Sequence, residues 1–229
     1  MKRFYKTVTI EPTDEGHAIL LDGRGVKTPQ RATLALPTLP LAEAVAAEWE
    51  AQVETIDPRA MPITGLSNAA IDQISADPQT FANMVAVYGE SELLCYRADS
   101  PDTLVAHQAA AWDPLLGWAR ERYDVGFTLV TGIMHQPQPA ETVARLAQVV
   151  AALDPFRLAA LQPIVTIGGS LVLSLALLEG RIDPVEAFDA AHLDELWQVE
   201  KWGEDALATQ ARDARRRDFE AAARFLTLL

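Results

Sequence analysis

The most apolar segment of the chain, PIVTIGGSLVLSLALLEG, limits its possible folds more than any other feature. The apolar stretch runs from Ile164 to Leu178 and contains Gly168, Gly169 and Ser170. A membrane-spanning helix needs about 17–25 apolar residues, so this stretch is too short to cross a bilayer. The sequence therefore predicts one buried helix in a globular core, with small residues where another helix can approach closely.

The composition supports a globular chain and excludes two classes of partner. Of the 229 residues, 49% are hydrophobic and 22% are charged, which is typical of folded domains. The 19 basic and 32 acidic residues give a formal net charge of -13, which argues against nucleic acid and anionic membrane surfaces as partners. The first residues, MKRFYKTVTIEP, lack the apolar region of a signal peptide. We therefore expect a cytoplasmic protein without membrane insertion.

The N-terminal part of the sequence has the patterns of β-structure. RFYKTVTI alternates, which predicts a strand with Phe4, Val8 and Ile10 on one face and Tyr5 on the other. The stretch DGRG at 22–25 predicts a hairpin turn, ATLALP predicts a further strand, and a helix follows it. Proline-rich ETIDPRAMPITGL then predicts a boundary. We predict an α+β fold with a small β-rich domain over 1–60, including one helix, and a larger helical bundle over 61–229.

Proline and aspartate set the expected helix limits in the second part of the chain. Pro78 is expected to open a helix. Pro114 is expected to break or bend the helix that follows SPDTL. Asp183 is a predicted N-cap with Pro184 at the first helical position, and that helix is expected to continue to Trp202.

No cluster of residues in the sequence indicates a catalytic or metal site. None of the four histidines pairs with another at metal-ligand spacing, and no phosphate-binding loop or nucleophile elbow is present. Cys95 follows two leucines, which favours a buried apolar role over a nucleophile. We predict no metal, no cofactor and no enzyme activity. The histidines are His17, His107, His135 and His192.

Pairs of carboxylates keep one enzymatic alternative open. A hydrolase could use such a pair with His107 or His192 as the base, provided that burial separates the two carboxyl pKa values. Acidic pairs on helices are more often solvated surface. The pairs are Asp194 with Glu195, Glu204 with Asp205, and Glu90 with Glu92.

The segment AHLDELWQVEKWGEDA combines two tryptophans with five acidic residues. Trp197 and Trp202 lie nearly opposite each other on a helical wheel, so both cannot enter one core and one should be accessible. Tryptophan is a preferred anchor at protein interfaces. Lys201 and Asp205 are expected to form an ion pair one helical turn apart.

Several segments together resemble the ATP12 family of assembly chaperones for the F1 part of ATP synthase. They occur in order along almost the whole chain: LDGRGVKTPQ, AEAVAAEWEAQ, MPITGLSNAAID, YRADSPDTLVAHQAAAWDPLLGWA, GSLVLSLALLEG and DELWQVEKWGED. The resemblance implies a β-rich N-terminal domain followed by an orthogonal helical bundle. It also implies binding of the unassembled F1-ATPase α subunit, without ATP, at the surface that would meet a β subunit.

The resemblance further implies which residues carry this function. An acidic residue in the helix before Trp-Gly matters in the family, and here it corresponds to Asp194 or its neighbour Glu195. Trp49 is expected to be needed for folding. After Trp-Gly this chain continues with Glu204, Asp205 and Ala206, a pattern that differs from that of many relatives. We expect a monomer in the bacterial cytoplasm, where eukaryotic relatives are mitochondrial. A structural adaptor of the finished complex is a further alternative. The expected client-binding residues are Asp194, Glu195, Gln198, Trp202 and Glu204.

Overall fold

The N-terminal part of the chain forms a small antiparallel sheet in the computed structural model, which describes residues 1–229. The middle strand pairs with the other three, and Leu21 pairs with Arg24 across the predicted hairpin, which is confirmed. The turn between the first two strands requires Gly16, because a Cβ at this position would lie 2.3 Å from the Leu36 carbonyl oxygen. The strands are β1 (Val8–Thr13), β2 (Gly16–Leu21), β3 (Arg24–Gly25) and β4 (Ala35–Leu36).

The residues before β1 do not continue the strand, so the predicted alternation from Phe4 is wrong. Tyr5 is buried and Phe4 is exposed. The Asp22 carboxylate accepts hydrogen bonds from the backbone nitrogens of Lys6 and Thr7, which replaces the strand pairing there. The Tyr5 side chain then turns inward and its hydroxyl donates to a backbone carbonyl in the first helix, at 2.6 Å.

Ten α-helices and two further short strands complete the fold, which confirms the mixed α and β class. The helix starting at Pro78 and the N-cap at Asp183 are confirmed, since Asp183 accepts from the backbone nitrogens of Val185 and Glu186. No helix is both long enough and apolar enough to span a bilayer. The helices are α1 (Leu39–Glu50), α2 (Pro62–Ala69), α3 (Pro78–Ala86), α4 (Asp102–Tyr123), α5 (Ala140–Ala151), α6 (Pro155–Gly168), α7 (Leu171–Leu178), α8 (Pro184–Ala191), α9 (Leu193–Trp202) and α10 (Ala206–Thr227); the parallel strands are β5 (Tyr96–Arg97) and β6 (Val130–Thr131).

Contacts group the chain into two units. The first comprises Met1–Pro78, Asp154–Ala160 and Ala221–Leu229, and the second comprises Gln79–Leu153 and Leu161–Glu220. The single boundary after residue 60 stays a prediction. This grouping differs from it by extending the first segment to Pro78 and by adding two later segments to the first unit. In that unit Trp49, on α1, packs against the core and its ring meets Tyr5 edge to face at 5.8 Å. The structural role expected for Trp49 stays a prediction.

In the second unit, the apolar run forms two helices, so the prediction of one buried helix is wrong. Gly169 has a φ of +67° between α6 and α7, a conformation that favours glycine. Ser170 then caps α7 by accepting from the Leu173 nitrogen at 3.0 Å. The prediction that α7 and its surroundings are buried is confirmed, since every residue from 170 to 176 is buried.

Two other expected helix limits in the second unit are corrected. Pro114 does not break α4, which is continuous over 22 residues, and a bend there stays a prediction. The neighbours Leu115 and Leu116 are buried, and we attribute the continuity to their packing. The helix expected from Pro184 to Trp202 is divided at His192, which leaves helical geometry. The Phe188 carbonyl accepts from the His192 backbone nitrogen at 3.0 Å, and the His192 ring also bonds to it at 2.9 Å.

Candidate functional site

Three of the five expected client-binding residues form an exposed row on α9. Asp194, Gln198 and Trp202 are each exposed and are spaced by four residues, which keeps them on roughly one face of the helix. The helix ends immediately after this row at Gly203, whose φ is +87°. The row therefore exposes a carboxylate, an amide and an aromatic ring to solvent, in that order along the helix.

The two tryptophans of α9 have different environments. Trp197 is 7% exposed, whereas Trp202 is 73% exposed, which confirms the prediction that one of them is accessible. Their rings meet edge to face with centroids 5.7 Å apart. Leu207, in the first turn of α10, is 77% exposed. Two large apolar side chains therefore stand in solvent on either side of the α9–α10 connection.

Asp194 has a neutral partner rather than a cation. Gln108, which is buried on α4, donates from Nε2 to Asp194 Oδ1 at 2.8 Å. The Gln108 Oε1 in turn accepts from the backbone nitrogen of Ala98 at 2.8 Å. The amide is thus fixed at both ends, and it orients the Asp194 carboxylate without neutralising its charge.

Glu195 and Glu204 differ from Asp194 because arginines of α10 hold them. Arg212 is only 7% exposed and lies 3.4 Å from Glu195 and 3.5 Å from Glu204. Arg215 contacts the second Glu195 oxygen at 2.6 Å. These two carboxylates are therefore engaged within the chain. The run ARDARRRD contains the signal for this pairing, since Arg212 and Arg215 lie three residues apart and share a helix face.

The expected ion pair between Lys201 and Asp205 is not formed, so that prediction is wrong. Because α9 ends at Trp202, the two residues are not one helical turn apart. Lys201 contacts Glu200 at 2.7 Å instead. Asp205 caps α10 by accepting from the Ala208 nitrogen at 2.9 Å.

Of the groups needed by the hydrolase alternative, the Glu195 carboxylate lies near enough to His192 to act on the pKa of its ring, although burial has the larger effect. His107 and His192 have no hydrogen bond to any of the paired carboxylates. Burial lowers the pKa of His192, whose ring stacks on Phe188 at 3.9 Å. Glu92 is fully buried and accepts from the backbone nitrogens of Leu94 and Val172. Burial raises its pKa to about 7, above the usual range of a carboxyl group.

The Cys95 thiol also lacks the properties of a nucleophile. Its side chain is fully buried, which confirms the apolar role predicted for it. Burial, and next the nearby Glu92 carboxylate, raise the pKa of the thiol to about 12. The reactive thiolate is therefore strongly disfavoured at neutral pH.

A groove of about 600 Å³ lies within the second unit and was not predicted from the sequence. Residues of α4, α8 and α9 line it. Small and apolar side chains form most of its surface, and charged side chains accompany them. Its principal apolar residues are Ala110, Ala111, Leu115, Ala190, Leu193 and Leu196, with Trp197 beside them.

Comparison with known proteins assigns the chain to a class of chaperones. Residues 2–120 match the family model described as ATP12 chaperone protein. The crystal structure of Atp12 from Paracoccus denitrificans shares 41% identity with the chain, covers 99% of it and 97% of its own length, and superposes with a TM-score of 0.95. The chain therefore belongs to the ATP12 family.

Two further relatives agree with this assignment. A solved candidate chaperone from Agrobacterium tumefaciens is 42% identical, with 99% of this chain and 85% of that chain covered and a TM-score of 0.93. The mitochondrial protein atp12 of Schizosaccharomyces pombe is 27% identical over 222 residues, which cover 90% of this chain and 75% of the relative.

Proposed function

We propose that this protein is an ATP-independent assembly chaperone that binds the unassembled α subunit of F1-ATPase. It shields the α-subunit surface that later meets a β subunit, and then releases the subunit to the growing α/β hexamer. Membership of the ATP12 chaperone family supports this proposal. We place this action in the bacterial cytoplasm; the solved relatives come from bacteria, which supports the bacterial setting.

The observation that carries the proposal is the exposure of Trp202 beside charged side chains. A large aromatic ring in water indicates a binding surface more strongly than scattered small apolar residues do. Trp202 and Leu207 provide apolar area for an exposed subunit interface. Asp194 and Gln198 provide polar groups in the same row, which can satisfy groups that the free subunit leaves unpaired.

Among the candidate carboxylates, Asp194 is best placed to receive a cation of the client. Glu195 and Glu204 are within ion-pair distance of Arg212, and Glu195 also pairs with Arg215. Asp194 keeps its charge unneutralised next to the Gln108 amide. We therefore assign client contact to Asp194, Gln198 and Trp202, and an ordering role to Glu195 and Glu204.

Light scattering of purified, unassembled F1 α subunit tests the proposal. We expect the wild-type chaperone to suppress aggregation at equimolar or higher ratios, equally with and without ATP. Trp202→Ala should suppress it much less, because the apolar anchor is lost. Ile133→Ala is the matched control, since Ile133 is also strongly exposed but lies outside this surface; it should behave like the wild type.

Two outcomes would replace the proposal with an alternative. If the wild type leaves aggregation unchanged at excess, the protein does not hold this client. If it co-purifies in stable amounts with finished ATP synthase rather than with free subunits, it is an adaptor of the mature complex.

A further inference from the structure

The first strand of the N-terminal sheet leaves one edge of its backbone without a partner. β1 pairs only with β2, so its other side forms the border of the sheet. Apart from this one pairing, no hydrogen bond of the chain reaches the backbone of Val8 or Ile10. An edge strand with unpaired backbone groups can receive a further strand from another polypeptide.

The register of β1 and β2 shows which backbone groups face outward. The Asp22 nitrogen donates to the Thr7 carbonyl at 3.1 Å, just before β1 begins. Bonded and non-bonded pairs alternate along an antiparallel ladder, so the N–H and C=O groups of Val8 and Ile10 point away from β2. Ile19 lies opposite Ile10, and its carbonyl agrees with this alternation. It accepts at 2.8 Å from the residue that follows β3, on the far side of β2.

A cleft of about 430 Å³, the β1–α1 cleft, lies beside this free edge. The half-buried side chains of Val8 and Ile10 form its apolar wall and pack on the core of the first unit. Thr9 also lines it, although successive side chains of a strand point to opposite faces, so the cleft follows the backbone edge. On α1, Ala46 and Ala47 leave room for an added strand, which would lie about 4.8 Å from β1.

The β1–α1 cleft has a negative rim. Glu43 and Glu50 line it, both are exposed, neither forms an ion pair, and no Lys or Arg lines the cleft with them. Arg3 bonds to the backbone carbonyl of Glu50 at 3.3 Å and contacts no carboxylate, so Glu43 is the clearer site for a cation. A second copy of this chain would bring the Glu11 of its own β1 to these glutamates, and like charges disfavour such pairing.

We propose that the β1–α1 cleft binds an extended segment of the client polypeptide as an added strand on β1. The backbone of the segment exchanges hydrogen bonds with the N–H and C=O groups of Val8 and Ile10. An apolar side chain of the segment lies against Ala46 and Ala47, and a Lys or Arg on an alternate residue lies against Glu43. This inference rests on the proposed function, since it gives the same client a contact on the first unit.

Amide hydrogen exchange, followed by NMR, tests the added strand directly. In the free protein we expect the amides of Val8 and Ile10 to exchange faster than those of Thr9 and Glu11, because only the latter two bond to β2. Excess F1 α subunit should slow exchange at Val8 and Ile10 by about 10-fold or more. Unchanged exchange at both positions in a complex that does form would overturn strand addition.

Filling the cleft is the second test. Ala47 is exposed, so Ala47→Phe occupies the cleft without entering the core. We expect affinity for the F1 α subunit to fall by about 10-fold or more, as for loss of a binding hot spot. Ala151→Phe is the matched control, because Ala151 is also exposed on a helix and does not line the cleft. Thermal melting checks that both variants are folded, and wild-type affinity in folded Ala47→Phe would count against the cleft.

Reversing one charge tests the cationic contact. Glu43→Lys should weaken binding of the F1 α subunit severalfold, because the Lys or Arg of the segment is then repelled. Glu15→Lys is the matched control, since Glu15 is exposed in the turn between β1 and β2 and its change alters the net charge equally. Equal losses in the two variants would show that overall charge is responsible and would remove the contact at Glu43.

Cross-linking identifies the occupant. With a photoreactive amino acid in place of Glu50, which lines the cleft, we expect cross-links to one α-subunit segment that contains a Lys or Arg. Cross-links between two copies of this chain, or none to the subunit in a complex that forms, would overturn the cleft proposal and leave the proposed function intact. If the wild type does not bind the α subunit at all, both proposals fail.

Discussion

At the scale of single residues, the neighbouring carboxylates Asp194 and Glu195 have different environments. Asp194 accepts one hydrogen bond from a neutral amide, whereas Glu195 contacts two arginines. Adjacent positions on a helix point about 100° apart, so one can face solvent while the other faces a neighbouring helix. The sequence left the choice between them open, because the arginines lie about 20 positions further along the chain.

Conservative substitutions should separate these two roles. Asp194→Asn keeps an acceptor for Gln108, so we expect an unfolding free energy within about 0.5 kcal/mol of the wild type and weaker client binding. Glu195→Gln leaves the nearly buried Arg212 without a full partner, and partial exposure limits the loss to about 1–2 kcal/mol. Chemical denaturation and client titration measure both effects. Equal destabilisation by the two variants would contradict the assignment.

Glu92 predicts a pH dependence of stability with a defined sign. Its pKa rises from 4.5 to about 7 on folding, chiefly because burial penalises the charged form. Between these values the folded state binds more protons than the unfolded state, so the contribution of Glu92 to the unfolding free energy falls as pH rises from about 4.5 to about 7. Carboxyl NMR should show Glu92 titrating near pH 7; a midpoint near 4.5 would refute this.

At the scale of elements, the sequence predicted helix starts better than helix ends. Pro78 and Asp183 were identified because a missing N–H or a short acceptor side chain acts within one turn. The breaks at Gly169 and His192 were missed, because apolar periodicity continues across both. The groove was missed for a related reason: alanines leave space only when three helices are brought together.

A glycine substitution tests the break between α6 and α7. Gly169→Ala places a side chain at a φ of +67° with only ordinary contact to Leu93, so backbone strain alone should lower the unfolding free energy by about 1–2 kcal/mol. Gly117→Ala in α4 is the control, since nothing lies near its Cβ position and helix propensity should raise stability by up to about 1 kcal/mol. Equilibrium denaturation compares them, and equal values would argue against the strain.

At the scale of the whole molecule, the negative charge should act on the rate of client capture. With a net charge of -13, the chain attracts a cationic surface over a distance set by salt. We expect the association rate to fall steeply as ionic strength rises from about 0.01 M to 1 M, over which the Debye length shrinks from about 30 Å to 3 Å. Stopped-flow measurements of the association rate across this range of ionic strength test the expectation. A flat profile would show that apolar contact alone governs capture.

The two ion pairs of Arg212 have a thermodynamic consequence for client binding by Trp202. Arg212 contacts Glu195 in the first turn of α9 and Glu204 just beyond its end. It therefore links both ends of the helix that carries Trp202 to α10. The backbone of α9 is therefore ordered during folding, and this conformational entropy does not have to be lost when the client binds. Because the helix that carries the Trp202 indole is already ordered, less of the favourable free energy of client contact is offset by ordering the chaperone.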